Sequence, residues 1–160
     1  MGFDEHEMGS RDDPELTWQE FEERVRDVLD CAGFLTEFRR VFVLDGRRHE
    51  IDVVARRFDI TLLIDAKRYG KARPRSSSLK AQARKHLTRC EEFDRAFSGK
   101  SVPVIVSWLD DALLIDGDCF IVPFSKLEDF VVHFEYYADS IGEMKTRATA
   151  VDETDESSRL

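Results

Sequence analysis

A chain of 160 residues with twelve Phe and a full complement of Ile, Val and Leu is one domain's worth, large enough to bury a core and without an internal repeat. No apolar run reaches membrane-spanning length, no basic-then-apolar leader opens the chain, and Cys31, Cys90 and Cys119 are too scattered for a disulfide framework or a zinc site. A cytoplasmic protein with buried free thiols and no membrane partner is expected, and its net charge of −9 argues at first against nucleic acid.

Residues 1–16 are predicted to be a flexible acidic arm, setting Asp4, Glu5, Glu7, Asp12, Asp13 and Glu15 against Arg11 with little to bury. The folded domain is expected over 17–141 and a flexible acidic tail over 142–160. Thr17-Trp18-Gln19-Glu20 has capping-box spacing and starts a helix. Trp18, Phe21, Val25, Val28, Leu29 and Ala32 form its apolar stripe, and Gly33 ends it. Of its acids, Glu20 is taken by the cap and Glu23 points away from the stripe, whereas Glu22 lies on the stripe's edge and faces inward. A glutamate so placed is more often a snorkelling surface residue than a catalyst.

Phe34 to Leu44 alternates well enough for a strand, and Asp45-Gly46 signals a hairpin turn into a second strand, Glu50 to Arg56. Arg56-Arg57-Phe58-Asp59 connects this to a strand from Ile60 to Lys67, and Gly70, Pro74 and three serines make Tyr69 to Ser78 a loop. A second helix is predicted from about Ser78 to Phe97 on the stripe Leu79, Ala83, Leu87, Cys90 and Phe97, flanked on one side by Gln82, His86 and Arg89. His86 by itself reads as a satisfied core histidine. Val102 to Trp108 is a buried strand, and Ala112 to Phe124 is strand, turn, strand around Asp116-Gly117. Ser125-Lys126-Leu127-Glu128 spells a second capping box, opening a helix with Leu127, Phe130, Val131, Phe134 and Ile141 on one face. Trp108, Phe130, Phe134, Tyr136 and Tyr137 read as core or as an oligomer contact.

The chemistry concentrates in Glu50 to Tyr69. Period-two alternation puts Glu50 with Asp52, and Asp65 with Lys67, among Ile51, Val53, Val54, Leu62, Leu63 and Ile64. Unpaired charge in a buried strand is costly, and a hard divalent cation, which takes carboxylates plus waters, would remove the objection. A strand-edge ion pair, with Lys67 neutralising Asp65 or Asp52, accounts for the same residue types without chemistry. From Lys67 to Cys90 there is no acid, while Lys67, Arg68, Lys71, Arg73, Arg75, Lys80, Arg84, Lys85 and Arg89 are basic. Nine charges of one sign beside two carboxylates suit a polyanion that must meet a metal.

The order helix acid, strand Asp, strand Asp-x-Lys, helix Gln resembles the PD-(D/E)xK nuclease superfamily, and within it the Mrr-type catalytic domain and the archaeal Holliday junction resolvases. The matching residues are Phe21-Glu22 with Val25, Leu29 and Gly33-Phe34, then His49 to Ala55, Ile64 to Tyr69, and Gln82, spanning roughly 18–90. The resemblance implies an α/β fold with a restriction endonuclease-like core, a central mixed β-sheet flanked by α-helices. It also implies Mg²⁺ or Mn²⁺ on Asp52, Asp65 and the Ala66 carbonyl, with Glu22 holding the metal directly or through water. Lys67 would orient or deprotonate the attacking water and steady the scissile phosphate, and Gln82 would help position it. Arg68, Lys71, Arg73, Arg75, Lys80, Lys85 and Arg89 would bind the nucleic acid. Ile51 stands where the motif has proline, and Asp65 is shorter than the glutamate often found there.

Metal-dependent hydrolysis of DNA phosphodiester bonds is therefore the expected function, with a homodimer as a possible assembly. The alternatives are a nuclease fold that binds nucleic acid without cutting, and an interaction protein whose carboxylates are merely ion-paired.

Overall fold

The computed structural model describes residues 17–67, 76–108 and 113–140. They form, in chain order, α1 (Trp18–Cys31), β1 (Leu35–Leu44), β2 (Arg47–Arg57), β3 (Ile60–Lys67), α2 (Ser76–Phe97), β4 (Val102–Ser107), β5 (Leu114–Asp116) and β6 (Cys119–Pro123). A 3₁₀ turn over Phe124–Lys126, α3 (Leu127–Val132) and a last helical stretch, α4, over 134–140 follow. The strands make one mixed sheet in the order β1-β2-β3-β4-β6-β5. β1, β2 and β3 run antiparallel in turn, β3-β4 and β4-β6 are parallel, and β5 is antiparallel to β6. The expected α/β class, a mixed sheet flanked by helices, is what the chain forms.

Local chemistry sets most boundaries. The Thr17 hydroxyl accepts from Glu20 N–H at 3.2 Å while the Glu20 carboxylate accepts from Thr17 N–H at 2.7 Å, closing the capping box that starts α1. Asp45 (φ 51°) and Gly46 (φ 74°) take the paired left-handed conformations that a two-residue hairpin loop requires between Leu44 and Arg47. The second capping box does not set the start of α3. The chain leaves Pro123 in the tighter 3₁₀ turn, the α-helix opens at Leu127, and Lys126 holds the cap position.

Helices cover both faces of the sheet. On one, α1 and α3 lay Phe21, Val25, Leu29, Leu127, Phe130 and Val131 over Val53, Ala55, Leu62, Ile64, Val104 and Phe120. On the other, α2 packs Ala83, Cys90 and Phe93 over Phe42, Ile51, Val54, Leu63, Ile105 and Ile121. The stripe of α2 departs from expectation, because His86 is 1% exposed and lies within it, Phe93 joins it, and Leu87 is only half-buried. Ala83, His86, Cys90 and Phe93 share the 3-4 spacing of one helix face, and a neutral imidazole fills such a position as well as an aliphatic chain. The three thiols are free, but Cys31 is exposed rather than buried because it falls off the α1 stripe.

The sheet departs from regularity in two places. The first is at Arg39, which sits in mid-strand with φ 52°, a conformation that costs a non-glycine residue about 1–2 kcal/mol. The β1-β2 ladder holds one register on both sides, from Leu35↔Arg56 to Phe38↔Val53 and from Arg40↔Ile51 to Leu44↔Arg47, but lapses where Arg39 stands opposite Asp52. Alternation inverts there in both strands: Phe38 and Val53 face α1, whereas Phe42 and Ile51 face α2. The second is a fork. β2 and β3 pair only from Arg57↔Ile60 to Val53↔Ile64; beyond that, β2 continues on β1 alone and β3 continues on β4 to Lys67↔Ser107.

Candidate metal and phosphate site at the fork

Asp52 and Asp65 are the first residues past the last β2-β3 pair, so they stand on the two lips of the fork. The Asp52 Oδ2 accepts from Ala66 N–H at 3.2 Å, taking the place of the backbone carbonyl that a continued ladder would have supplied. Trp108 N–H donates to the Lys67 carbonyl at 3.1 Å, which turns Lys67's backbone toward β4. Peptide groups alternate along a strand, so the Ala66 carbonyl is turned toward the β2 side with its N–H. Two carboxylates and a main-chain carbonyl thus converge where the sheet opens.

Asp65 is only 5% exposed, and Lys67 Nζ lies 3.1 Å from its Oδ2. The Asp65 carboxylate is also within hydrogen-bonding reach of Asp52. Burial, then the hydrogen bond and repulsion from Asp65, push Asp52 up from 3.8 to about 7, against the opposing pull of Ala66 N–H and Lys67. Near neutrality the pair therefore tends to share a proton. With that proton shared, Lys67 balances the single negative charge that remains, and a divalent cation held there would displace the proton.

The α2 face lies behind this pair. His86 Nε2 is 2.8 Å from the Leu63 carbonyl and so carries the proton, and burial holds the ring's pKa below its ordinary value. Its Nδ1 is buried with no hydrogen-bond partner among the described residues. Cys90 Sγ lies 3.5 Å from the same Nε2, and burial raises this thiol well out of the reactive range; Cys119 is likewise pushed up to about 12. Gln82 is half-buried one turn before His86, on the helix that covers Asp65. Lys80, Arg84 and Lys85 are exposed on α2 and Arg89 is half-buried. Arg68, Lys71, Arg73 and Arg75 lie outside the described residues.

One sequence expectation needs correction. Glu50 does not share a face with Asp52. The inversion at Arg39 breaks the alternation on which that reading depended, so Glu50 is paired with Arg48 at 3.8 Å while His49, beside Ile51 on the α2 side, reaches Glu92 at 3.0 Å. Glu22 faces inward as expected, its side chain 12% exposed, and both its oxygens accept from Arg39 Nη2, at 3.1 and 3.4 Å. Among the described residues no three His, Cys, Asp or Glu side chains are close enough to hold a metal together. Asp52 and Asp65 place two carboxylates at the fork, a donor set that Mg²⁺ can take when waters and phosphate complete its shell. Arg39 was missed from the sequence; its trace is the Arg39-Arg40 doublet, two polar residues in succession where alternation calls for one.

No family model matches the chain. An uncharacterized protein of Archaeoglobus fulgidus is 42% identical over 127 residues, covering 79% of this chain and 98% of that one, and the chain belongs to the same family. Among solved structures, that of a protein of unknown function, AF1548, aligns with a TM-score of 0.44 at 20% identity, over 54% of this chain and 46% of that chain. That of protein VC1899 from Vibrio cholerae aligns with a TM-score of 0.38 at 16% identity, over 74% and 32%. The chain spans less than half of either solved protein. Among the described residues no helix is long and apolar enough to cross a membrane.

Proposed function

We propose that the chain is a divalent-metal-dependent DNA endonuclease of the PD-(D/E)xK type, with a restriction endonuclease-like core. The observation that carries this reading is the fork: Asp52, Asp65 and the Ala66 carbonyl converge at a break in the sheet, with Lys67 beside them. Mg²⁺ or Mn²⁺ held by Asp52, Asp65 and the Ala66 carbonyl would supply a bound water of lowered pKa and neutralise charge on the phosphate. Lys67 is the residue suited to the attacking water and the scissile phosphate. It shares the Asp65 face of β3, and its side chain is one-third exposed, so it can turn toward a ligand in the fork. The loss of one Asp65–Lys67 contact is offset when a cation takes its place. Gln82, on the overlying helix, positions the same group, and the basic face of α2 holds the flanking strand through Lys80, Lys85 and Arg89.

A second reading keeps the site purely structural, and the Lys67–Asp65 contact at 3.1 Å favours it, since an ion pair needs no metal. The two readings separate on one experiment. Labelled duplex DNA is incubated with the protein in Mg²⁺ or Mn²⁺ and in chelator. Cutting that needs the cation supports the nuclease; salt-sensitive binding without cutting points to a binding module; neither activity leaves the ion pair as the account.

A further inference from the structure

The acid of α1 has a different task from those of the fork, and the geometry assigns it. We infer that Glu22 is a positioning residue that acts through Arg39 to set Asp52, and that it does not itself contact the cation. This rests on the reading of the fork as a metal site. Three observations converge. Arg39 has a left-handed backbone in the middle of a strand, and it stands in the register position opposite Asp52, where the β1-β2 ladder lapses. In a regular strand its side chain would point to the α2 side, opposite Phe38. The inversion instead puts Arg39 on the same side as Phe38, where it meets Glu22 with one nitrogen against both carboxylate oxygens. Glu22 is therefore spent on a contact that exists only while residue 39 is left-handed.

The same inversion decides where Asp52 goes. With Ile51 facing α2 and Val53 facing α1, Asp52 belongs to neither face, and its carboxylate drops into the gap between β2 and β3 to accept from Ala66 N–H. Were residue 39 to relax into the ordinary extended region, alternation would be restored and Asp52 would be drawn out of the fork. Strained backbone persists only where its surroundings over-determine it, and the Glu22 carboxylate, 12% exposed beneath a guanidinium 58% exposed, is the local constraint. Arg26, stacked 4.1 Å over Phe38, packs the neighbouring residue from the same helix.

Glycine adopts positive φ without strain, so a strut through residue 39 becomes dispensable when that residue is glycine, whereas a metal ligand does not. The test is a double-mutant cycle of Glu22→Ala and Arg39→Gly, read by amide hydrogen exchange at Ala66 and by calorimetric titration with Mn²⁺. Glu22→Ala is expected to speed Ala66 exchange and weaken Mn²⁺ uptake, each by about tenfold, the scale of one lost charge-assisted contact. Arg39→Gly is expected to leave both near the parent values, and the double variant to match Arg39→Gly alone. If Arg39→Gly fails to fold, Arg39→Asn, which also tolerates the left-handed region, takes its place. Unchanged Ala66 exchange in Glu22→Ala overturns the inference. So does a double variant that loses Mn²⁺ as fully as Glu22→Ala, which would make Glu22 a ligand. If the parent protein takes up no Mn²⁺ yet Ala66 exchange follows the predicted cycle, the positioning role stands and the metal reading falls.

Discussion

Replacing Asp52 by asparagine should stabilise the protein in the absence of metal, and only above a definite pH. The Asp52 carboxyl is raised from 3.8 to about 7, so between those values the folded state binds a proton that the unfolded chain releases. Its contribution to stability is therefore fully present below pH 4 and lost as pH rises through 7. At 1.36 kcal/mol per tenfold change the whole rise corresponds to about 4 kcal/mol, and partial solvent access together with sharing of the proton with Asp65 reduces this to about 1–2 kcal/mol. The asparagine reproduces the protonated acid: its Oδ1 accepts from Ala66 N–H and its Nδ2 donates to Asp65. Thermal melts at pH 8 in chelator should thus put Asp52→Asn about 3–6 °C above the parent protein, with the gain gone near pH 4. Added Mg²⁺ should reverse the order, stabilising the parent by about 1.4 kcal/mol at tenfold over Kd and the variant by far less. An Asp52→Asn protein no more stable than its parent at pH 8, or equally favoured at pH 4 and pH 8, would refute the proton-sharing pair.

His86 gives the opposite pH dependence. Burial holds its pKa below the ordinary 6.5, so its contribution is present above that value and is lost as pH falls and the unfolded chain takes up the proton. His86→Gln, which can still donate to the Leu63 carbonyl, should cost about 1–3 kcal/mol at pH 8 and progressively less toward pH 5, as followed by urea unfolding. Arg57 donates to the Ala32 carbonyl at 2.8 Å and the Val131 carbonyl at 3.3 Å and lies over the Phe34 ring. Arg57→Ala should cost about 2–3 kcal/mol in the same measurement and leave Mn²⁺ uptake unchanged, because it ties α1 to α3 away from the fork. Lys80→Ala and Lys85→Ala should each weaken duplex binding and lower the salt dependence of log K by about 0.9, read by fluorescence anisotropy across a salt series.

Most of the scaffold was legible because it is local. The Thr17 capping box, the Asp45-Gly46 and Gly117 turns and the apolar runs of β3 and β4 each follow from short-range chemistry, and the structure has them where the residues place them. Asp65 beside Lys67 also followed, since β3 is regular from Ile60 to Lys67. The pairing of Glu50 with Asp52 did not hold, because the inversion at Arg39 spans both β1 and β2 and short-range alternation within β2 does not reveal it. The burial of His86 within the α2 stripe depends on the Leu63 carbonyl of another element, which periodicity cannot see. The shift of α3 to Leu127 reflects Pro123 and the 3₁₀ turn prevailing over a well-spaced capping box.

The most direct test of the central claim is cleavage of labelled linear duplex, single strand and four-way junction in Mg²⁺ or Mn²⁺ by the parent protein, Asp65→Asn and Lys67→Ala. Both substitutions act in the fork and should leave the fold intact by circular dichroism. Cation-dependent cutting of at least one substrate, reduced by at least about 10²-fold in each variant, is the predicted result. Cutting that survives in both variants, or no cutting by a folded parent protein with metal present, would contradict it.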